Sequence, residues 1–310
     1  MFDGTPTKPQ TVGDLIGRAF RTYRANIPIF VQVLMWPTLV SIIGKVGVQW
    51  GLTEVARKEP AAIMIGLVAM VIGAIIAMIS VFILTMRQLA FVRIVNGFAK
   101  DYKEAYAFVK TRLWNLLGLI IVGDLIAFWA MIIWAVVVVL AALLMKGGTF
   151  MIIISALGML MSMLGMFATF IVYWLVGFIC ITLTSCEDVG IGKALGRGFN
   201  LTFRDFGRTF LFGFVLSLTV MMMQYPLSLP ALLLSLFEVF RHGMSSDFSS
   251  DPTKVPLYLL VLTQAWESMV NMILWPVIFV AFGLFYYDLR MRQEGVDVEQ
   301  KLTLLNQSAT

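Results

Sequence analysis

Charged residues are scarce in this sequence, and the residues on which most catalytic and metal sites depend are scarcer still. Only 13% of the 310 residues are Asp, Glu, Lys or Arg, and the chain has one His and two Cys. A soluble domain has about 25% charged residues, so the composition argues against a soluble protein. His242 has no nearby carboxylate cluster with which to form a zinc site or a nucleophilic triad. No Gly-rich phosphate loop follows a strand. The sequence therefore predicts neither an enzyme nor a cofactor.

The two cysteines and the first residues exclude two further features. Cys180 and Cys186 are six residues apart and do not share a helix face, which favours free thiols over a disulfide framework or a metal ligand set. The opening residues, MFDGTPTKPQ, are polar and lack the apolar core and small-residue cleavage site of a signal peptide. We therefore expect no removable leader.

Long apolar runs, in contrast, are abundant. Hydrophobic residues make up 60% of the chain and the mean hydropathy is +0.89. About 20 apolar residues suffice for a helix to cross a bilayer, and six segments reach or exceed that length. These segments are 27–50, 61–96, 113–145, 151–184, 206–240 and 256–289. The sequence predicts an all-α, polytopic membrane protein with six transmembrane helices.

The basic residues indicate an orientation. The net charge of +5 does not predict nucleic-acid binding, because the Lys and Arg residues lie at the ends of the apolar segments. If both termini and the loops after the second and fourth segments share one side, that side holds 17 of the 23 Lys and Arg residues. By the positive-inside rule, both termini are then cytoplasmic.

Residues 11–26 form a basic amphipathic pattern before the first apolar segment. Their apolar residues recur at i, i+3, i+4 and i+7, which is typical of one helix face. Thr11 followed by Asp14 predicts a capped N-terminus. Arg18, Arg21 and Arg24 fall away from the apolar face. Such a helix lies on an anionic membrane surface, or packs against helices that cross the membrane.

The same pattern recurs before the third and fifth segments. Leu15 and Ala105 are 90 residues apart and Ala105 and Ala194 are 89 apart, each within an amphipathic stretch. In the third stretch the basic residues that lie away from the apolar face are Lys193, Arg197 and Arg204.

This period predicts three repeats of a cytoplasmic amphipathic helix followed by a transmembrane hairpin. They cover approximately 11–98, 99–186 and 187–290 of a single membrane domain, 1–310, with residues 291–310 as a cytoplasmic tail. The alternative is that any six-helix protein has basic amphipathic connectors on its cytoplasmic side. In either case the six basic residues named above are candidates for docking a partner or binding anionic lipid headgroups.

Ionisable groups inside apolar segments are candidates for function, because placing one in lipid costs about 2.5–3.5 kcal/mol or more. Depth along the segments predicts two ion pairs, Arg87 with Asp124 and Lys45 with Glu267. Gln264, Glu267, Ser268 and Asn271 also form a polar stripe on the sixth segment, which could line an internal cavity or a substrate path. The alternative for the stripe is hydrogen bonding between helices, worth about 0.6 kcal/mol on average.

Two segments carry small residues at three- and four-residue spacing. Such seams allow helix backbones to approach closely, so we expect both helices in the bundle interior or at a subunit contact. The seam of the second segment includes Ala62, Gly66, Gly73 and Ser80; that of the fourth includes Ser155, Gly158, Ser162, Gly165 and Thr169.

The end of the sixth segment carries the most distinctive local sequence, YYDLRMRQEGVD at residues 286–297. Asp288 with Arg292 and Arg290 with Glu294 are i, i+4 pairs, and Gly295 is placed to stop the helix. This ending resembles the Y-Y-D-x-R-x-R-x-E-G-x-D pattern of a family of six-helix bacterial membrane proteins, named after the membrane domain attached to some glycerophosphodiester phosphodiesterases. The motif residues are Tyr287, Asp288, Arg290, Arg292, Glu294, Gly295 and Asp297.

Two other stretches, GDLIGRAFRTYRAN and GIGKALGRGFNLTFRDFGR, are similar to the start and the middle of that family. The resemblance implies a scaffold or accessory protein of the bacterial plasma (inner) membrane. It implies no catalytic residues, because the phosphodiesterase domain is absent.

Two functional hypotheses follow. The first is a non-enzymatic membrane component that organises other membrane proteins or self-associates, with its amphipathic helices lying on anionic lipid of the cytoplasmic leaflet. The second is a transporter or lipid-handling protein that uses the polar face of the sixth segment. A continuous polar path would favour the second hypothesis, and a dry interior with large apolar outer patches the first.

Overall fold

The computed structural model describes residues 9–145, 149–241 and 256–295. Within these ranges the chain is all-helical and contains no strand. The helices of the described part are α1 (Val12–Ala25), α2 (Ile27–Ala56), α3 (Pro60–Val95), α4 (Tyr102–Thr111), α5 (Leu113–Leu144), α6 (Thr149–Cys186), α7 (Ile191–Arg204), α8 (Phe206–Arg241) and α9 (Leu257–Glu294). Six of them (α2, α3, α5, α6, α8 and α9) are long and apolar enough to cross a membrane.

The structure of α1 confirms the capped N-terminus and the apolar face predicted from the sequence. Thr11 Oγ1 accepts a hydrogen bond from the Asp14 amide at 3.2 Å, which caps the first turn. The face predicted to be apolar is covered, whereas Arg21 and Arg24 are exposed. The buried side chains of α1 are those of Leu15, Ile16, Ala19, Thr22 and Tyr23.

Helix α2 runs further than the hydropathy pattern predicts, to Ala56 rather than to residue 50. Gly51 lies against α3, Thr53 is buried, and the buried Glu54 carboxylate pairs with Arg57 at 3.0 Å. The polar residues after residue 50 therefore stay helical because they pack and pair locally. The turn between the first two spans is reduced to residues 57–59.

The chain divides into two compact units whose segments alternate along the sequence. Unit 1 contains Thr11–Tyr106 and Phe214–Leu284. Unit 2 contains Ala107–Gly213 and the described parts of Pro6–Gln10 and Phe285–Thr310. The single membrane domain over residues 1–310 stays a prediction, as do the repeat boundaries.

In unit 1 the small-residue seam of α3 faces α2. A Cβ atom added to Gly44 would lie 2.5 Å from the Ala77 amide nitrogen and 2.8 Å from the Gly73 carbonyl oxygen. A Cβ on Gly66 would lie 2.6 Å from the Gly51 carbonyl oxygen. The two backbones are therefore in direct contact, which only residues without a side chain permit. The seam closes a hairpin within the unit.

In unit 2 the corresponding seam of α6 faces α5, and it adds hydrogen bonds to close packing. Ser155 Oγ donates to the Ala141 carbonyl at 2.6 Å, and Ser162 Oγ donates to the Trp134 carbonyl at 2.9 Å. The Trp134 indole in turn donates to Thr169 Oγ1 at 3.0 Å. Both serines are fully buried, so each hydroxyl that faces the partner helix is satisfied by it.

The core of unit 1 lies where α1 and the start of α4 meet the start of α2 and the end of α3. Four rings follow one another there, Tyr23, Phe30, Phe91 and Tyr102, with centroid separations of 5.1, 4.1 and 5.1 Å. Burial raises the pKa of Tyr23 and of Tyr102 to about 12. The direction of the shift agrees with the position of both phenols beside apolar rings, because burial disfavours the charged form.

In unit 2, α7 packs on the last turns of α6. Gly198 lies against Cys180, whose thiol donates to the Ala194 carbonyl at 3.4 Å. Cys180 and Cys186 are both free and buried.

Candidate functional site

Lys45 in unit 1 pairs with Ser268 and not with Glu267. Its ammonium donates to Ser268 Oγ at 3.3 Å, and no carboxylate among the described residues lies within 4.0 Å of it. Ser268 is buried, whereas Glu267, one position earlier on α9, is exposed. The predicted pair of Lys45 with Glu267 is therefore wrong. Depth along the helix was correct, but a step of one residue turns a side chain by about 100° to another face.

The other predicted pair, Arg87 with Asp124, would join residues of different units, and it stays a prediction. Each of the two residues has a contact within its own unit. In unit 1, Arg87 Nη1 donates to the carbonyl oxygen of Val33 on α2. In unit 2, the Asp124 carboxylate accepts a hydrogen bond from the Tyr173 hydroxyl across the α5–α6 hairpin. Arg87 and Asp124 are thus each engaged by a neutral partner, and neither needs the other for its charge to be hydrogen-bonded.

Unit 1 contains a polar cavity of about 250 Å³ between α2, α3 and α9. The polar residues that line it are Thr38, Ser41, Lys45, Thr85, Gln88, Ser268 and Asn271, and an apolar wall includes Met272, Trp275 and Phe279. These residues lie near the middle of α2 and α9, well inside the candidate spans.

The polar stripe predicted on the sixth segment meets this cavity only in part. Two of its four residues, Ser268 and Asn271, line the cavity, but Gln264 and Glu267 do not. The stripe is therefore corrected to a smaller α9 face, which forms a site together with α2 and α3. Gln88 and Ser41 belong to the site and were missed. The sequence did contain a signal for both residues. Gln88 follows Arg87 directly and Ser41 lies four positions before Lys45, so each is close to an ionisable residue that was predicted to lie in a span.

Unit 2 contains a larger, apolar groove between α5, α6 and α7, with a volume of about 690 Å³. Along α5 its lining runs from Leu119 to Trp134, a distance of about 22 Å at 1.5 Å per residue. On α6 it includes Gly177, and on α7 it includes Gly196 and Phe199. Nothing lies within 4 Å of a Cβ atom built on Gly177 or on Gly196, so both glycines border open space. The small-residue seam of α6 supplies Gly165 and Thr169 to its lining, but the sequence predicted that seam as a helix contact and not as a groove.

The ending of α9 forms an ion cluster in unit 2. Asp288, with no exposed surface, accepts hydrogen bonds from the Gln10 amide at 2.8 Å, Arg208 Nη2 at 2.7 Å and Arg292 Nε at 3.0 Å. The same two arginines also donate to the Gln10 carbonyl, at 2.6 and 3.1 Å. The carboxylate thus ties the end of α9 to the start of α8 and to the residues before α1.

The second carboxylate of this ending, Glu294, binds α7. It pairs with Arg197 at 2.6 Å and with Arg290 at 2.9 Å. Glu187, just after α6, bonds to the same Arg197, pairs with Arg290 at 3.0 Å and accepts from the Tyr286 hydroxyl at 2.5 Å. Both predicted i, i+4 pairs are therefore formed, and Gly295 ends the helix with a φ of +66°. Tyr287 is buried; Asp297 lies outside the described residues.

Arg197, one of the residues predicted for docking, forms ion pairs within the chain. Burial lowers the pKa of its guanidinium, but the hydrogen bond to Glu294 and the charge of Glu187 outweigh that effect and raise the pKa above its usual value. Its charge is paired within the chain, and its role in docking stays a prediction. Of the other basic residues predicted for docking or lipid headgroups, Arg21, Arg24, Lys193 and Arg204 are exposed and Arg18 is half-buried.

Within the described ranges, no three His, Cys, Asp or Glu side chains come together as metal ligands would. His242, the one histidine, lies outside those ranges.

Comparison of the chain with family models, with curated proteins and with solved structures finds no match. The resemblance to the membrane domain of glycerophosphodiester phosphodiesterases therefore stays a hypothesis based on the residues quoted above.

Proposed function

We propose that the protein is a non-enzymatic integral membrane protein that binds membrane lipid, with an acyl chain lying in the apolar groove of unit 2. The observation that carries the proposal is the groove itself, about 690 Å³ with an almost wholly apolar lining. It lies between two helices that are long and apolar enough to cross a membrane. Space of this kind inside a bilayer is filled by hydrocarbon, because leaving it empty forfeits the contacts of its whole lining.

Helix α7 supports the same proposal from the end of the groove. It is amphipathic, and it exposes Lys193 and Arg204 together with Phe199 and Phe203, whose rings stack at 4.2 Å. Exposed cations next to exposed aromatic rings are typical of a helix at the membrane interface. An anionic phospholipid fits this arrangement, with its headgroup near α7 and one chain along α5 and α6.

The proposed membrane is the bacterial inner membrane, with both termini cytoplasmic. The distribution of Lys and Arg supports this orientation. α7 would then lie at the cytoplasmic leaflet, where anionic lipids attract basic segments.

We also propose that the three repeats are real. The helix starts and the burial of the amphipathic helices support them. Val12, Tyr102 and Ile191 begin these helices at spacings of 90 and 89 residues. The residues three positions further on, Leu15, Ala105 and Ala194, are all 0% exposed. One residue separates each amphipathic helix from the long helix after it: Asn26, Arg112 and Asp205.

A scaffold role is the second candidate, since two spans leave wide apolar faces uncovered. Only 6% of the most apolar window of α5 and 11% of that of α3 is buried within the chain. A second copy or a membrane-protein partner could cover these faces. In a bilayer lipid covers them equally well, so these faces favour neither candidate, and the groove is the observation that supports the lipid proposal.

The test is to purify the full chain in a mild detergent and measure bound lipid by native mass spectrometry. Gly177→Phe places a ring in the groove from α6, because Gly177 lines the groove and nothing lies within 4 Å of its Cβ position. Gly207→Phe is the matched control, since Gly207 is equally unobstructed and does not line the groove. We expect Gly177→Phe to lose most of the bound phospholipid and the control to retain it.

Equal lipid occupancy in the two variants would overturn the lipid proposal. Copurification of a stoichiometric membrane protein with no bound lipid would favour the scaffold role instead.

A further inference from the structure

The polar cavity of unit 1 contains a positive charge without a negative partner. Lys45 donates to a neutral hydroxyl, Ser268 Oγ, at 3.3 Å. None of the described residues that line the cavity is Asp or Glu. A lysine inside a membrane span is costly unless it faces a cavity or pairs with an anion. Here Lys45 faces a cavity, and none of the described residues of its lining supplies a negative charge.

Two further polar side chains of the cavity have no hydrogen-bond partner in the part of the chain that the structure describes. Gln88 is only 6% exposed, and its side-chain amide has no hydrogen-bond partner among the described residues. Ser41 is 3% exposed, and its hydroxyl also has no hydrogen-bond partner among the described residues. Buried polar groups are nearly always hydrogen-bonded, so groups that point into a shared cavity indicate a ligand or ordered water.

We infer that this cavity is a binding site for a small carboxylate-bearing solute. One ammonium together with neutral amide and hydroxyl donors matches a monoanion, whose two oxygens can accept from Lys45, Gln88 and Ser268. A volume of about 250 Å³ corresponds to about eight water molecules. This limits the solute to roughly that number of non-hydrogen atoms.

Apolar residues in the lining favour a solute with an apolar part. Met272, Trp275 and Phe279 line the cavity beside the polar groups. Small-molecule sites combine such apolar walls with a few placed polar groups. An aromatic or short aliphatic carboxylate therefore matches both the polar and the apolar residues of the lining. This inference is independent of the lipid proposal, which concerns unit 2 alone.

The experiment measures binding of sodium benzoate to the full-length protein in detergent by isothermal titration calorimetry. Benzamide serves as the uncharged isostere. Lys45→Met removes the charge and keeps the length of the side chain, and Lys110→Met is the matched control, because Lys110 is exposed on α4. We expect benzoate to bind at least tenfold more tightly than benzamide. Lys45→Met should weaken benzoate binding at least tenfold, and Lys110→Met should leave it unchanged.

A second variant keeps the test decisive if Lys45→Met does not fold. Gln88→Met replaces the amide with an apolar chain of similar volume, and it should weaken benzoate binding severalfold. Three results would overturn the inference. They are no benzoate binding at millimolar concentrations, equal affinity for benzamide, or unchanged benzoate affinity in the folded variants. The first result would assign the cavity to ordered water.

Discussion

Asp288, in the ending of α9, is a fully buried carboxylate. Its carboxylate has no contact with solvent, and it is stabilised by one backbone amide and two guanidinium groups. A buried charge is tolerated only when paired and fully hydrogen-bonded. The side chain of Arg208 is itself only 18% exposed, so each group of this pair depends on the other.

Asp288→Ala should therefore destabilise the protein by about 3–5 kcal/mol, because it leaves the Arg208 guanidinium buried without its carboxylate. Thermal unfolding in detergent, followed by circular dichroism, measures the effect. Glu267→Gln is the control on the same helix, since Glu267 is exposed, and it should leave the midpoint within error of wild type. An unchanged midpoint for Asp288→Ala would show that the cluster adds no stability.

At the scale of elements, the two hairpins use small residues in different ways. The α2–α3 hairpin relies on glycines and brings backbone against backbone. The α5–α6 hairpin uses serine and threonine hydroxyls to satisfy groups of the facing helix. Lipid gives no hydrophobic drive for helices to associate, so close packing and hydrogen bonds must supply it. The α2–α3 hairpin is accordingly the more sensitive to added volume.

Gly44→Ala should destabilise the α2–α3 hairpin by about 1–3 kcal/mol, the usual cost of overpacking. The added methyl would lie 2.5 Å from a backbone nitrogen, and a backbone cannot turn away as a side chain can. Gly177→Ala on α6 is the control, with nothing within 4 Å of its Cβ. It should be neutral or stabilising by up to about 1 kcal/mol, because Ala is the better helix former. Equal unfolding midpoints for the two variants would contradict the close approach.

At the scale of the whole molecule, the sequence predicts the elements far better than their pairings. The starts and ends of the spans could be predicted because an apolar run and a helix have nearly the same limits. Helix α2 is the exception, since it continues past its apolar run to a turn in which Glu54 is paired locally. The i, i+4 pairs of α9 were accessible for the same local reason.

Contacts between distant parts of the chain were not accessible. Asp288 meets Gln10 across 278 residues of sequence, and no local pattern encodes that separation. Lys45 was placed at the correct depth but on the wrong neighbour, because choosing between Ser268 and Glu267 requires the rotation of α9 about its axis. Cavities such as the groove of unit 2 exist only once several helices are placed together, so residue patterns do not reveal them.

The orientation of the whole chain can be tested by labelling introduced cysteines with a membrane-impermeant thiol reagent. The native thiols give little background, since Cys180 and Cys186 are 1% and 3% exposed. Glu59→Cys lies in the exposed turn between α2 and α3, and Lys100→Cys lies between α3 and α4. With cytoplasmic termini, Glu59→Cys should react in intact cells, and Lys100→Cys only after the cells are permeabilised. Lys193→Cys on α7 extends the test to unit 2 and should behave as Lys100→Cys does. Since the positive-inside rule counts Lys and Arg near the ends of spans, the reverse labelling pattern would mean that the basic amphipathic helices lie outside, away from the anionic leaflet that the lipid proposal requires.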